Sequence, residues 1–188
     1  MGTLKTTNIE SISGSGTVTL GTSGETFAIG AGVTNNLGIT VVDQWRITAN
    51  FDTTSGDIAT NWERVDTDGP GFIGTGMTES SGVFTFPQTG IWLIQGISNI
   101  DADGARTYMG ININVTLNNS SYSASTEMYG SMYIANAQTP CEASFIFDVT
   151  DTSQCKVKLY ADGSGSGTWQ GHTDVTRTGM NFIRLGDT

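Results

Sequence analysis

The stretch Met77–Ile94 reads MTESSGVFTFPQTGIWLI and decides the fold class. Its apolar residues alternate with other residues around a frame of two glycines and a proline, Gly82, Pro87 and Gly90. Gly tolerates the positive φ of tight turns, and Pro suits a strand boundary where no backbone N–H is needed. Period-two alternation predicts strands with one buried face, so we expect two strands joined by a turn. The expected core side chains are Phe84, Phe86, Trp92 and Ile94.

Short runs of the same kind fill the chain on both sides of this stretch. They are rich in Thr, Val, Ile and aromatic residues and are separated by Gly, Asn, Asp or Ser, a composition typical of strands and turns. No segment keeps a helical period, so a β-sandwich or a jelly roll is predicted rather than an α/β enzyme fold. The predicted strands are Val41–Phe51, Asn61–Val65, Gly82–Phe86, Gly90–Ser98, Tyr108–Leu117, Glu127–Ala135, Cys141–Val149, Cys155–Ala161 and Met180–Leu185. Asp52–Thr60 is predicted to be a polar loop, and Asp66–Gly76 to be turns.

Residues 1–40 differ from residues 41–188 in composition and in residue pattern. They contain no Trp, Tyr or Cys, and short apolar pairs such as Val18 with Leu20 and Phe27 with Ile29 are bounded by glycines. One copy of such a ribbon cannot bury its apolar side chains, whereas several copies together can. We therefore interpret residues 1–40 as an extended β-rich arm for attachment and oligomerisation, in preference to a disordered tail, and residues 41–188 as the head.

The chain is acidic, with a formal net charge of −10 at pH 7. Its eight Lys and Arg residues are scattered singly, whereas a phosphate-binding surface needs them clustered. Nucleic acid and anionic membranes are therefore not expected as partners. No apolar run approaches the length of about 18 residues that spans a bilayer, and the first 30 residues lack the pattern of a secretory signal. We expect no membrane insertion, and assembly in a cytoplasm.

Two cysteines, Cys141 and Cys155, lie on neighbouring predicted strands. If these strands form one hairpin centred near Asp151, Cys155 faces Phe147 and is displaced from Cys141 by roughly 20 Å at about 3.3 Å per residue. That displacement is beyond disulfide reach, so two buried free thiols are expected. A metal site is not expected either, because the chain has a single histidine and no CxxC pair.

The central stretch resembles the signature of the complement component one-q globular head, a member of the tumour-necrosis-factor-like jelly-roll superfamily. Phe182–Leu185 looks like the final strand of the same family, and the resemblance covers roughly 41–186 by strand pattern. It implies a homotrimer of jelly-roll heads around a three-fold axis, with the N-termini leading into a stalk. The residues that carry it are Gly82, Phe84, Pro87, Gly90, Trp92, Ile94 and Phe182.

The stalk is where the chain departs from the animal members of this family, since it has no collagen repeat. Residues 1–40 resemble instead the N-terminal pieces of tailed-bacteriophage fibre and virion proteins, especially those of marine cyanophages. The combination implies a virion protein: a trimeric fibre or spike anchored to other virion proteins through residues 1–40. Its head would project and bind a host-surface glycan or protein. The alternatives are a trimeric capsid decoration protein and a secreted lectin-like binding module.

Catalytic and metal-binding motifs are weak in this sequence. The only histidine, His172, lies in a Gly- and Thr-rich segment without a GxSxG elbow, so an enzyme is not expected. DADG and DTDG each hold half of a calcium-loop pattern without its closing Glu, and Asp-Gly turns explain both. Asp101 and Asp103 are kept as a calcium option, and no other cofactor is expected.

Candidate receptor contacts are sought in loops that combine aromatic and polar residues. Two predicted loops fit, Asn118–Met128 with Tyr122, and Asp162–Gly179 with Trp169 and His172. The GSGSG run at 163–167 predicts a mobile second loop. Trp169 has an equally favoured alternative as a core or trimer-axis residue.

Overall fold

Antiparallel strands make up the regular structure of the protein in the computed structural model, which describes residues 38–69 and 71–188. The described part of the chain contains no apolar helix of membrane-spanning length. The predicted arm lies outside the described residues except for residues 38–40. The strands are β1 (Val42–Ile47), β2 (Phe51–Asp57), β3 (Trp62–Arg64), β4 (Phe72–Ile73), β5 (Thr78–Ser80), β6 (Val83–Thr85), β7 (Gly90–Asp101), β8 (Arg106–Thr116), β9 (Ser123–Met132), β10 (Gln138–Val149), β11 (Lys156–Trp169) and β12 (Gly179–Gly186).

These strands form two layers. In the first sheet, β1 pairs with β3, β4 and β12, β12 pairs with β7, and β7 pairs with β10. In the second sheet, β11 pairs with β2, β6 and β8, while β5 pairs with β6 and β9 with β8. The end of β7 also pairs with the end of β11, which joins the two sheets at one corner. The all-β jelly-roll prediction agrees with this architecture.

An aromatic cluster fills the space between the sheets. Phe84 lies 4.9 Å from Trp62 and 5.1 Å from Phe182, measured between ring centroids. Phe86 lies 5.2 Å from Trp92 in the same way. Because these rings come from β3, β7, β12 and the β6 region, the central stretch ties both layers together.

The glycines and the proline of the central stretch lie at its turns. Gly82 precedes β6 with φ of 77°, and Gly90 begins β7 with φ of 139°. A Cβ at Gly82 would lie 2.8 Å from Ala59 Cα, and one at Gly90 would lie 2.5 Å from the backbone oxygen of Gly186. Both positions therefore need glycine for conformation and for space. Pro87 lies in the connection between β6 and β7, outside any strand.

A buried carboxylate holds β1 to the segments beside it. Asp43 is fully buried and accepts hydrogen bonds from Arg64 Nε at 2.9 Å, Trp45 Nε1 at 2.9 Å and Met77 N at 2.6 Å. A charge removed from water needs such partners, because leaving one unpaired is strongly destabilising. The acid thus fixes β3 and the residue before β5 against the inner side of β1.

The predicted single strand Val41–Phe51 is wrong, because a turn at 48–50 divides it into β1 and β2. At this turn Thr48 Oγ1 donates to Asn61 O, and Asn50 Oδ1 accepts from Gly171 N. The chain passes there from the first sheet to the second. The predicted polar loop Asp52–Thr60 is also corrected, since most of it is the outer strand β2.

The predicted hairpin between Cys141–Val149 and Cys155–Ala161 is wrong as well. β10 pairs with β7 in the first sheet, whereas β11 pairs with strands of the second sheet. The turn between them crosses from layer to layer, as a jelly roll requires. The expectation of two buried free thiols is confirmed, since Cys141 and Cys155 are both free and buried. Burial raises the pKa of the Cys141 thiol, which keeps it in the unreactive protonated form.

Two groups of turns lie at opposite ends of the sandwich. The proximal end, where the described chain begins, holds the turns 86–89, 117–122 and 150–155, and Asn119 N donates there to Gln154 O at 2.9 Å. The distal end holds the turns 48–50, 102–105, 133–137 and 170–178. Its turns are joined by Asn136 N donating to Ala102 O and by His172 N donating to Ile47 O.

The aromatic cluster predicts the cost of truncating Phe84. Replacing this fully buried ring by Ala leaves a cavity against Trp62 and Phe182, so Phe84→Ala should lower the free energy of unfolding by about 3–5 kcal/mol. Denaturant unfolding at a fixed protein concentration measures it. Ile134→Ala, at a side chain that is 70% exposed, is the control and should change stability by less than about 0.5 kcal/mol. Equal unfolding midpoints for Phe84→Ala and the wild type would contradict the assignment.

Candidate binding surfaces

The outward side of the first sheet, here called the first face, carries an apolar row across four strands. Val42 of β1 lies opposite Ile183 of β12, Ile183 lies opposite Leu93 of β7, and Leu93 lies opposite Ile146 of β10. The Ile146 side chain is 61% exposed. Outward positions of a solvated antiparallel sheet are normally polar, so this row is a candidate contact surface.

A second row of the first face is made of amides and a hydroxyl. Gln44 lies opposite Asn181, Asn181 lies opposite Gln95, and Gln95 lies opposite Ser144. Amide groups donate and accept hydrogen bonds at once, so they can pair with a second copy of themselves. The first face therefore offers apolar contact next to self-complementary polar groups, a combination that suits a subunit interface.

The outward side of the second sheet, here called the tyrosine face, has a different chemistry. It carries Tyr108, Tyr122, Tyr129 and Tyr160 on β8, β9, β11 and the turn before β9. The rings of Tyr108 and Tyr129 meet edge to face with centroids 5.2 Å apart. The polar residues of this face are Asp57, Asn112, Asn114, Glu127, Lys158 and Asp162.

Hydrogen bonds order the two ends of the tyrosine face. Tyr129 Oη donates to Asp162 Oδ2 at 2.9 Å, and Ser55 Oγ donates to Asp162 Oδ1 at 2.9 Å. At the other end, Lys158 Nζ lies 4.2 Å from the centroid of the Tyr122 ring and 2.7 Å from Asp57 Oδ2. These contacts hold the rings of Tyr122 and Tyr129 in defined orientations.

The same surroundings shift the acidity of two phenols. Burial, followed by the hydrogen bond to Asp162, raises the pKa of Tyr129 from its ordinary value of 10.0 to about 12. Burial also raises the pKa of Tyr122, although the charge of Lys158 acts in the opposite direction. Both tyrosines therefore stay neutral over the physiological pH range, and the hydroxyl hydrogen of Tyr129 is used in its bond to Asp162.

The three predicted receptor-contact residues do not form one site. Tyr122 lies at the proximal end on the tyrosine face, and His172 lies in the 170–178 turn at the distal end, where its Nδ1 accepts from Asp174 N at 2.9 Å. Trp169 is fully buried, and its Nε1 donates to Gly110 O at 3.0 Å. Its receptor-contact role is therefore wrong, and its core alternative is correct.

The predicted loops around these residues are shorter than expected. β9 takes up much of Asn118–Met128, so only the turn 117–122 is irregular there. The predicted mobile run 163–167 belongs to β11, which continues to Trp169 beside β2. Glycines are depleted in strands, so the local pattern favoured a loop over the pairing with β2.

The candidate calcium ligands are engaged with other side chains. Asp101 Oδ2 accepts a hydrogen bond from Gln170 Nε2 at 2.7 Å, and Asp103 Oδ1 pairs with Arg106 Nη2 at 2.5 Å. In 38–69 and 71–188 no three residues of the His, Cys, Asp and Glu types are grouped as metal ligands. The calcium option stays a prediction on these two acids alone.

Sequence reasoning missed Tyr108, Tyr129 and Tyr160 as surface residues. The signal for one of them lay in the strand pattern of β8, where Tyr108, Gly110, Asn112 and Asn114 alternate with buried apolar residues. An aromatic residue in the polar phase of an alternating strand marks an outward ring. Tyr129 gave no such signal, because its strand has no buried apolar residues for the polar ones to alternate with. Every residue of Ser123–Ser131 lies at least partly exposed to solvent.

Comparisons with solved structures assign the fold. Murine APRIL, in a crystal structure at pH 5.0, superposes with a TM-score of 0.57 at 14% identity, covering 77% of this chain and 98% of that chain. Eiger TNF from S. frugiperda superposes with a TM-score of 0.58 at 10% identity, covering 78% of this chain and 93% of that chain. The sequence matches no protein-family model and no curated protein. The chain therefore has a tumour-necrosis-factor-like jelly-roll fold, as the central stretch implied.

The bond between Tyr129 and Asp162 predicts a late-titrating phenol. A raised pKa means that the fold favours the neutral phenol, so its stabilising contribution is complete below pH 10 and is lost as pH rises through about 12. Asp162→Asn should lower this pKa. The difference in tyrosinate absorbance between the wild type and Tyr129→Phe, followed against pH, measures it. A Tyr129 phenol that ionises at its ordinary pKa in the wild type would contradict the hydrogen bond.

Proposed function

We propose that the protein is a homotrimeric structural and binding protein without catalytic activity, and that its subunits meet through the first face. The apolar row of Val42, Leu93, Ile146 and Ile183 is the observation that carries this proposal. In a single chain Ile146 is exposed and Val42, Leu93 and Ile183 are partly exposed, whereas a second copy that covers the row gains the free energy of apolar burial.

Three copies fit the row better than an unrelated partner. The superfamily that the central stretch resembles implies three heads around one axis. The row of amides beside the apolar row supports contact between identical surfaces, because Gln44, Gln95 and Asn181 pair equally well with their own kind. The tyrosine face lies on the opposite sheet, and such a trimer leaves it open to solvent.

The setting that we propose for this trimer is the virion of a tailed phage. Residues 1–40 resemble the N-terminal pieces of phage fibre and virion proteins, and they would attach the trimer to the particle. The head would then project as a fibre or spike and bind the host surface. The net negative charge of the chain favours a partner other than nucleic acid, because nucleic acid is itself negatively charged.

Self-association through the first face predicts the effect of a charge in its apolar row. Leu93→Glu places a carboxylate among Ile146 and Ile183, so this variant should run as a monomer while the wild type runs as a trimer. Size-exclusion chromatography with light scattering measures the masses, and circular dichroism checks that the strands persist. Ile134→Glu, in the distal turn 133–137, is the matched control and should keep the wild-type mass. A monomeric wild type, or a Leu93→Glu variant with unchanged mass, would overturn the interface.

The virion setting is tested on intact particles. Gold-labelled antibodies against residues 41–188, imaged by electron microscopy, should mark the tail of phage particles. Label spread over the capsid shell would contradict the fibre role and indicate a capsid decoration protein. Protein found in the medium and absent from every particle would contradict the virion setting and favour a secreted binding module.

A further inference from the structure

The tyrosine face combines the groups that bind a neutral sugar. Tyrosine rings offer flat apolar surfaces, against which the C–H faces of a pyranose ring can stack. Carboxylates and amides around the rings accept and donate the hydrogen bonds that sugar hydroxyls need. The tyrosine face holds both kinds of group on one sheet, within the second layer of the head.

The positions of these groups follow the strand register. Tyr160 lies opposite Asp57 on one side and Asn112 on the other, and Asn112 lies opposite Glu127. The Asp162 and Lys158 positions are four residues apart on β11, about 13 Å at 3.3 Å per residue. The face is thus an extended strip that suits a chain of sugar units better than a single one.

A glycine shapes one end of this strip. Gly110 lies opposite both Tyr129 and Asp162, and a Cβ at Gly110 would lie 2.6 Å from Tyr129 Cδ1. The missing side chain lets the Tyr129 ring lie over β8 and reach Asp162. The ring is thereby held by packing and by a hydrogen bond before any ligand arrives, which reduces the entropy lost on binding.

Charge decides between classes of sugar. Asp57, Glu127 and Asp162 lie on the tyrosine face with Lys158, which already pairs with Asp57. The cations at the ends of the same strands are engaged as well, Arg106 with Asp103 and Lys156 with Thr152 O. Sialylated or sulfated glycans would meet repulsion there, and so would nucleic acid. We propose that the tyrosine face binds a neutral oligosaccharide, an inference that rests on the proposed role of the head as a binding module.

The test probes the full chain with immobilised neutral oligosaccharides of hexose and N-acetylhexosamine units, beside sialylated and sulfated counterparts. The wild type should bind a neutral member in preference to its anionic counterparts. Titration calorimetry with the best binder should then show that Tyr108→Ala and Tyr129→Ala each weaken binding by about tenfold or more. Tyr129→Phe should weaken it less, because the ring stays and only the bond to Asp162 is lost.

Tyr133→Ala is the matched control, because this tyrosine is 87% exposed in the distal turn, beyond the end of β9 and outside the paired strands of the tyrosine face. It should bind as the wild type does. No binding to any neutral oligosaccharide, a preference for the anionic members, or full affinity in Tyr108→Ala and Tyr129→Ala would each overturn the inference. The tyrosine variants should keep the trimer mass, so failure here is distinguishable from failure of the first-face interface.

Discussion

Packing of the inward side of β7 is the constraint on which the rest of the structure depends. Its inward residues, Trp92 and Ile94 among them, pack in the core, and this packing fixes the register against β10 and β12. The same register sends Leu93 outward into a row of apolar neighbours. A register slip of one residue would turn the inward side chains of β7 outward and its outward side chains inward. The apolar row therefore cannot leave the outward side unless the core residues of β7 leave the core.

The two outward faces of the sandwich differ in chemistry. The first face has aliphatic side chains and amides, which suit contact with identical surfaces. The tyrosine face has phenols, carboxylates and Lys158, which suit a hydrated ligand. Because the faces belong to different sheets, an oligomer built on the first face leaves the tyrosine face accessible. Self-association and ligand binding can then occur together, and three copies would present three identical sites.

The alternation of apolar and polar residues predicted strands well where the neighbouring strand has the same alternation. β7, β8, β10 and β12 were predicted close to their observed bounds, as was the turn chemistry of Gly82. The exchange of strands between layers was beyond prediction, because the turn at 48–50 and the crossing at 150–155 depend on distant partners. The tyrosine face was mostly missed, since its residues come together only through the register of β8, β9 and β11.

A crystal structure of the full chain tests the central claim most directly, because it shows what lies against the first face. The account predicts three copies around a three-fold axis, with Leu93 and Ile183 of each copy buried against another copy and Tyr129 open to solvent. Copies that meet through a different surface, or a single chain whose first face is covered by its own residues 1–37, would contradict it.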